Sequence, residues 1–304
     1  MKTLEYLSDP TLRAMFLPGI VAGLITVVMC AVVSPLVVVK RLGFIGQGIS
    51  HSAFGGVGLA AVLVAVGWMA AGGVAELLVI AVFSVGAALG MGWVGRRRET
   101  PEDTAIGLFL VGSMALGTVL VQAARAVAER GGRAADVRSW ESILFGSVST
   151  AGTGDVVVAG AVAGAVVLAL WAGRRPLLFW ATDEQTARAF GVPVGLVRGG
   201  LMVVLGLVVV TSMKVAGVVL ASALLVLPGA TALRLSSRLW SVVGWSLVVG
   251  AAGVLAGFVV AFEADWPVGP SIVLVQVVLF AGACGAGWVR AIGGRGASAA
   301  TVRA

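Results

Sequence analysis

The sequence predicts an all-α, polytopic integral membrane protein, a single transmembrane domain of eight or nine helices formed by residues 1–304. Apolar residues make up 59% of the chain and charged residues only 12%, about half the charged share of a typical soluble domain. A mean hydropathy of +1.06 is more than one aqueous core of this size would bury. Long uncharged windows and the uneven distribution of arginine complete the prediction of a multi-pass protein of the cell (inner or plasma) membrane.

Nine windows free of Asp, Glu, Lys and Arg mark the candidate spans, because about 20 apolar residues are needed to cross the hydrocarbon core. They are 14–39, 42–75, 77–95, 104–124, 156–173, 199–213, 215–233, 239–262 and 266–289. The window 199–213 is short and indicates a tilted or broken helix. The long window 42–75 begins with a stretch that is compatible with an interfacial position, so the predicted count is eight or nine.

The net charge of +7 is explained by orientation in the membrane rather than by binding to nucleic acid, which is not an expected partner. If the loop with Arg96, Arg97 and Arg98 is cytoplasmic, alternation of sides places 14 of the 21 basic residues in the cytoplasm and nine of the 14 acidic residues outside. The C-terminus is then cytoplasmic, and the N-terminus is outside with nine spans or inside with eight. Residues 125–155 form an expected extracytoplasmic connector.

A short amphipathic helix is predicted over residues 183–190, in a polar segment on the cytoplasmic side. Thr182 is the expected N-cap, with Gln185 three residues later as its capping-box partner. Gly191 lies where a C-terminal glycine is expected, and Pro193 prevents continuation. The helix is either an ordinary surface helix or a docking point for another subunit.

His51, the only histidine, lies inside an uncharged window, and Gln47 is one helical turn before it. An ionisable group at membrane depth is a functional candidate, and neutral imidazole is a good ligand for zinc, iron and manganese. The alternative is a structural histidine that bonds to a neighbouring helix. One imidazole and one amide cannot form a tight closed metal site, but a transport path needs binding weak enough to allow release.

Glu102 and Asp103 follow Pro101 at the start of the next predicted span, where acidic residues interact favourably with the helix dipole. Asp103 is also a candidate to attract a cation at the cytoplasmic mouth. None of the three lysines belongs to a Gly-x-x-x-x-Gly-Lys-Ser/Thr phosphate loop, so any ATP hydrolysis is expected in a separate subunit. No Gly-x-Ser-x-Gly or His-Glu-x-x-His pattern is present, and the chain is not expected to be an enzyme.

A basic pair, Lys40-Arg41, precedes a glycine-rich run that ends in Ser50-His51. Four further stretches follow in order, residues 102–107, 184–194, 214–232 and 267–274. Together the five stretches resemble the ABC-type zinc/manganese/iron permease family. The family has Gly-Asp-x-x-Ser-His in the first stretch, so His51 matches the family histidine, and Gln47 stands where the family has Asp.

The resemblance implies the membrane-spanning permease subunit of an ATP-driven importer for divalent transition-metal ions (zinc, manganese or iron), with no tightly bound cofactor. It implies a second permease copy, a cytoplasmic ATP-binding subunit docked on a coupling helix at about 180–195, and an extracytoplasmic metal-binding protein. The residues expected to contact the ion transiently are His51, Gln47 and Asp103. Those expected to couple to the ATPase are Asp183, Glu184, Arg188, Phe190 and Gly191.

Two other functions remain open from the sequence. One is an importer permease for a metal chelate or another small molecule, in which His51 is only structural. The other is a membrane scaffold or enzyme that transports nothing.

Overall fold

The computed structural model describes residues 9–95, 101–131 and 152–301. Within these ranges the regular structure is all helical. Eight of the helices are long and apolar enough to cross a membrane, which confirms the prediction of an all-α, multi-pass protein. The ten helices are α1 (Pro10–Val39), α2 (Gly43–Val66), α3 (Val74–Val94), α4 (Glu102–Arg130), α5 (Thr153–Ala172), α6 (Arg174–Thr182), α7 (Glu184–Ala189), α8 (Val194–Leu235), α9 (Leu239–Ala264) and α10 (Val268–Thr301).

The 42-residue helix α8 explains why the predicted count was open. It contains the two windows 199–213 and 215–233, and a straight helix of this length would be about 63 Å long, twice the hydrocarbon core. Gly217 interrupts the helical backbone with φ 82° and ψ 164°, a conformation adopted almost only by glycine. Helix α8 therefore consists of two arms, residues 194–216 and residues 218–235.

The two arms of α8 run in opposite directions through the bundle. Arg198 in the first arm forms an ion pair with the first residue of α4. Sixteen residues later the Nζ atom of Lys214 lies 3.1 Å from Oδ1 of Asp155, at the start of α5. Because sixteen helical residues rise about 24 Å, this contact is at the other end of the bundle. In the second arm the Gly229 amide donates a 2.9 Å hydrogen bond to the hydroxyl of Ser34, in the last turns of α1. The chain thus crosses the bundle twice within α8.

The opposite ends of the bundle differ in charge. One end, which we call the basic end, contains Lys40, Arg174 and Arg238, and the other, the acidic end, contains Asp155 and Asp265. With two crossings in α8 the described helices make nine passages, so α1 begins at the acidic end and α10 runs toward the basic end. The positive-inside rule assigns the basic end to the cytoplasm, as in the nine-span alternative.

Helices α2 and α4 run in the same direction and approach closely through glycine. A Cβ atom on Gly117 would lie 2.5 Å from the backbone oxygen of Phe54, and one on Gly58 would lie 2.7 Å from the backbone oxygen of Gly117. The hydroxyl of Ser52 donates a 3.3 Å hydrogen bond to the Phe109 carbonyl. These contacts fix the register of α2 against α4, and therefore the level at which the side chains of α2 lie.

Buried polar side chains join helices elsewhere in the bundle. The Ser246 hydroxyl in α9 donates to the Ala31 carbonyl at 2.8 Å, and the Gln276 amide in α10 donates to the Gly250 carbonyl at 3.2 Å. Inside lipid, such bonds and close packing replace the hydrophobic effect as the force between helices. They join α1 to α9 and α9 to α10.

Candidate functional site

The polar face of α2 carries the first two candidate residues. Gln47 is exposed, and His51, one turn further from the basic end, is half-buried. The imidazole stacks on the ring of Phe54, with 6.1 Å between centroids and 17° between planes. The Nδ1 atom of His51 is buried and has no hydrogen-bond partner within the part of the chain that the structure describes. A buried nitrogen without a partner is costly, so a hydrogen-bond donor or a cation would be favoured at Nδ1 once the side chain turns to uncover it.

Asp103 lies in the first turn of α4 and is exposed. The bond between Ser52 and Phe109 shows that His51 is level with the second turn of α4. Asp103 precedes Phe109 by six residues on the helix, so it lies about 9 Å closer to the basic end than Phe109 and His51 do. The structure thus puts Asp103 at the mouth of the α2–α4 pair rather than beside the imidazole.

The three candidate residues do not form a closed metal site within one chain. Across residues 9–95, 101–131 and 152–301 there is no group of three or more His, Cys, Asp and Glu residues that could hold an ion. A site assembled from one imidazole, one amide and a more distant carboxylate has too few ligands for tight binding.

An ion pair that the sequence did not reveal anchors the start of α4. Glu102, predicted only as a helix-dipole residue, pairs with Arg198 in the first arm of α8. The arginine side chain is 15% exposed, and its Nε atom has no partner among the described residues. Since 96 positions separate the two residues, no local pattern signals the pair. The neighbouring Asp103 is not part of it.

The short helix near residue 185 forms as predicted, but its N-cap is Asp183. The Asp183 carboxylate accepts hydrogen bonds from the amides of Gln185 at 2.9 Å and Thr186 at 3.1 Å. The prediction of Thr182 as N-cap is wrong, because this residue ends α6 and its hydroxyl donates to the Phe179 carbonyl. The side-chain hydrogen bond from Thr186, followed by the backbone bonds, lowers the pKa of Asp183.

The C-terminal end of α7 is closed by the predicted glycine. Gly191 has φ +80°, and its amide donates to the Arg188 carbonyl at 3.1 Å. The Val192 amide donates to the Ala187 carbonyl at 3.0 Å, which completes a Schellman arrangement. Immediately before the glycine, Phe190 is 76% exposed, although its ring packs against the ring of Phe179 in α6, with 5.8 Å between the ring centroids. The turn therefore presents an apolar ring at the basic end of the bundle.

Glu184 joins this short helix to the membrane-spanning bundle. Its carboxylate accepts from the indole of Trp180 at 3.2 Å and from Arg188. Partial burial raises the pKa of Glu184, but the two hydrogen bonds outweigh it and the pKa is lowered. The ammonium group of Lys40 lies 4.3 Å from the centre of the Trp180 ring, a cation–π contact. A continuous series of contacts thus runs from α7 to the turn between α1 and α2, through two residues that sequence reasoning had not selected for this role.

The connector predicted at residues 125–155 is described only at its edges. Residues 125–130 continue α4, and α5 begins at residue 153. Residues 132–151 lie outside the described residues, as do Arg96, Arg97 and Arg98.

Comparison with known proteins gives a consistent result along almost the whole chain. The model of the ABC 3 transport family matches residues 13–286. The manganese transport system membrane protein MntC of Halalkalibacterium halodurans is 31% identical over 282 residues, which cover 92% of this chain and 90% of that protein. The chelated iron transport system membrane protein YfeD of Yersinia pestis is 26% identical over 274 residues, with 90% and 86% covered. A chain in the solved structure of PsaBC from Streptococcus pneumoniae in complex with Fab superposes with a TM-score of 0.75 at 25% identity, covering 92% of this chain and 95% of that one.

Proposed function

The chain belongs to the ABC 3 transport family, and from this membership we propose that it is the membrane permease of an ATP-driven importer for divalent transition-metal ions. The proposal is carried by similarity over nine-tenths of the chain to a relative named for manganese transport. The chain is the permease subunit and not the ATPase, so the energy for transport comes from a separate subunit. The ion is cargo, held only in passing.

We propose that the ion passes along the polar face of α2. The half-buried imidazole of His51 and the exposed amide of Gln47 supply weak ligands one turn apart, and Asp103 supplies a carboxylate nearer the basic end. The ligand set in one chain is too small for tight binding, which suits a path that must release its ion. A second copy of the permease, facing the same α2 surface, would complete the coordination.

Coupling to the ATPase is proposed to act through α7 at the basic end. The exposed ring of Phe190 is the docking element, and the caps formed by Asp183 and Gly191 keep the short helix intact while it is pushed. Glu184 and Arg188 bind each other on the same helix. Movement reaches α2 through the contact of Trp180 with Lys40, since Lys40 lies in the turn that begins α2.

An extracytoplasmic metal-binding protein is proposed to deliver the ion at the acidic end. With the acidic end outside, nine acidic and seven basic residues of the sequence face that side, and this net negative charge attracts a cation or a basic protein surface. Partner docking there and ATPase docking at the basic end agree with import toward the cytoplasm.

Reconstitution tests the proposal. The permease is co-expressed with the ATPase and the secreted binding protein from its own genome, and is placed in liposomes loaded with a metal-sensitive dye. ATP-dependent uptake of free Mn²⁺, Fe²⁺ or Zn²⁺ is expected, with no uptake when a non-hydrolysable nucleotide replaces ATP. Absence of uptake of all three ions by an assembled complex that hydrolyses ATP would contradict the proposal.

A metal chelate is the second candidate cargo, because one relative is named for chelated iron. The same liposome assay distinguishes a chelate from free ions as the cargo. Uptake of the chelate without uptake of free ions, together with normal uptake by His51→Ala, would favour the chelate and assign His51 a structural role.

A further inference from the structure

A cavity of about 340 Å³ lies at the basic end, between α1, α5, α6 and α9 and the end of α8. Its lining is apolar except for Arg174 and Ser237. Two lining residues, Trp171 and Trp240, are exposed on the outer surface of the bundle, so the cavity is reached from the membrane side. This volume is within the range of sites that hold small organic molecules.

The position of the cavity matches one leaflet of a bilayer. Lining residues run along α1 from Val32 to Val39, so the cavity extends about 10 Å into the bundle from its basic end. Tryptophans such as Trp171 and Trp240 are typical of the layer where acyl chains meet headgroups. The depth and the apolar lining suit part of a hydrocarbon chain, and the mouth lies at headgroup level.

Arg174 gives the mouth a positive charge that the described protein does not neutralise. Its guanidinium lies 4.5 Å from the centre of the Trp171 ring. Arg174 takes part in none of the ion pairs found within residues 9–95, 101–131 and 152–301. Lipids of the cytoplasmic leaflet carry negative charge, and basic pockets between helices on that side bind anionic headgroups.

We propose that this cavity binds one anionic phospholipid of the cytoplasmic leaflet. An acyl chain fills the apolar cavity, and the headgroup phosphate binds the guanidinium of Arg174. Four of the lining residues, Arg174, Leu177, Leu178 and Ala181, belong to α6, which leads directly into α7. The lipid therefore contacts the helix that holds the proposed coupling segment in place, although its binding does not depend on which cargo the protein carries.

Native mass spectrometry of the purified permease tests the proposal, with phosphatidylglycerol and phosphatidylcholine of identical acyl chains as probes. The wild-type protein is expected to retain phosphatidylglycerol preferentially as a one-to-one adduct. Arg174→Gln is expected to bind it about fivefold more weakly, the ratio for about 1 kcal/mol contributed by one arginine near an anionic surface. Arg175→Gln is the matched control, because Arg175 is the neighbouring arginine that does not line the cavity.

A second variant separates the acyl chain from the headgroup. Ala181→Phe places a ring in the cavity and is expected to reduce the adducts of both lipids, whereas Arg174→Gln reduces only that of phosphatidylglycerol. Equal retention of the two lipids by the wild-type protein, or equal losses in Arg174→Gln and Arg175→Gln, would overturn the proposal. A lipid-free dimer beside a lipid-bound monomer would show that a second copy covers the cavity and would overturn it too. If Arg174→Gln does not fold, the proposal is still tested by the retention of the two lipids on the wild-type protein and by the loss of both adducts in Ala181→Phe.

Discussion

Replacement of Gly117 by alanine tests whether α2 is held in register by its close contact with α4. The new Cβ would lie 2.5 Å from the Phe54 carbonyl oxygen, where ordinary contact begins at 3.4 Å, and 2.7 Å from the Phe54 carbonyl carbon. Both atoms are backbone, so no rotamer change relieves the clash and the helices must separate by about 1 Å. Overpacking of this kind costs about 1–3 kcal/mol, and a backbone contact belongs in the upper part of that range.

The assay is thermal unfolding of the purified permease in detergent. A loss of about 2 kcal/mol corresponds to a Tm lower by about 3 °C for a chain of this length. Gly112→Ala is the matched control, since Gly112 lies on the same helix, is exposed, and has nothing within 4 Å of the position that a Cβ would take. A Tm for Gly117→Ala equal to that of Gly112→Ala would show that the two helices do not meet as described.

Three further changes test the reversal in α8 and the segment proposed to couple to the ATPase. Gly217→Ala forces a side chain into a glycine-only conformation and should cost about 1–3 kcal/mol in detergent unfolding, while Gly244→Ala, with open space around it, should not. Asp183→Ala should weaken ATPase stimulation by the permease and Asp183→Asn should not, because asparagine also caps helices. The pKa of Asp183 is lowered, so its helix cap is present above the ordinary aspartate pKa and is lost only as the pH falls through the lowered value. Stimulation of the ATPase, measured between about pH 5 and 8, should therefore not change because of this carboxyl group. Trp180→Phe removes the hydrogen bond to the α7 carboxylate and should lower ATP-driven uptake more than ATP hydrolysis; equal losses in both would contradict a transmitting role.

The membrane-spanning helices were predictable because the thickness of the hydrocarbon core dictates them. The window 239–262 became the helix Leu239–Ala264, and the two windows around residue 214 became the two arms of α8. The window 104–124 stopped too early, since α4 continues to Arg130. Arg125 and Glu129 are exposed on that extension. The end of an uncharged window therefore shows where the hydrocarbon ends, and a helix can continue beyond it into water.

Contacts between distant parts of the chain were not predictable from local patterns. In the sequence Arg198 is one of the 14 basic residues assigned to the cytoplasm, and its pairing with Glu102 depends on how α8 packs beside α4. The stacking of Lys40 on Trp180 likewise depends on where α6 folds back against the bundle. The N-cap error had a smaller cause: Thr182 and Asp183 are adjacent residues of types that both cap helices, and only the structure shows which side chain reaches the free amides.

The proposed contact of the ion with Gln47 and His51 on α2 is tested by the KM for Mn²⁺ in ATP-driven liposome uptake. Gln47→Asp introduces the anionic oxygen that the family motif has at this point, and it should lower KM. His51→Ala removes the imidazole with its unpartnered Nδ1 and should raise KM. We expect KM to shift in opposite directions in these two variants, and unchanged KM values in both would show that neither side chain contacts the ion.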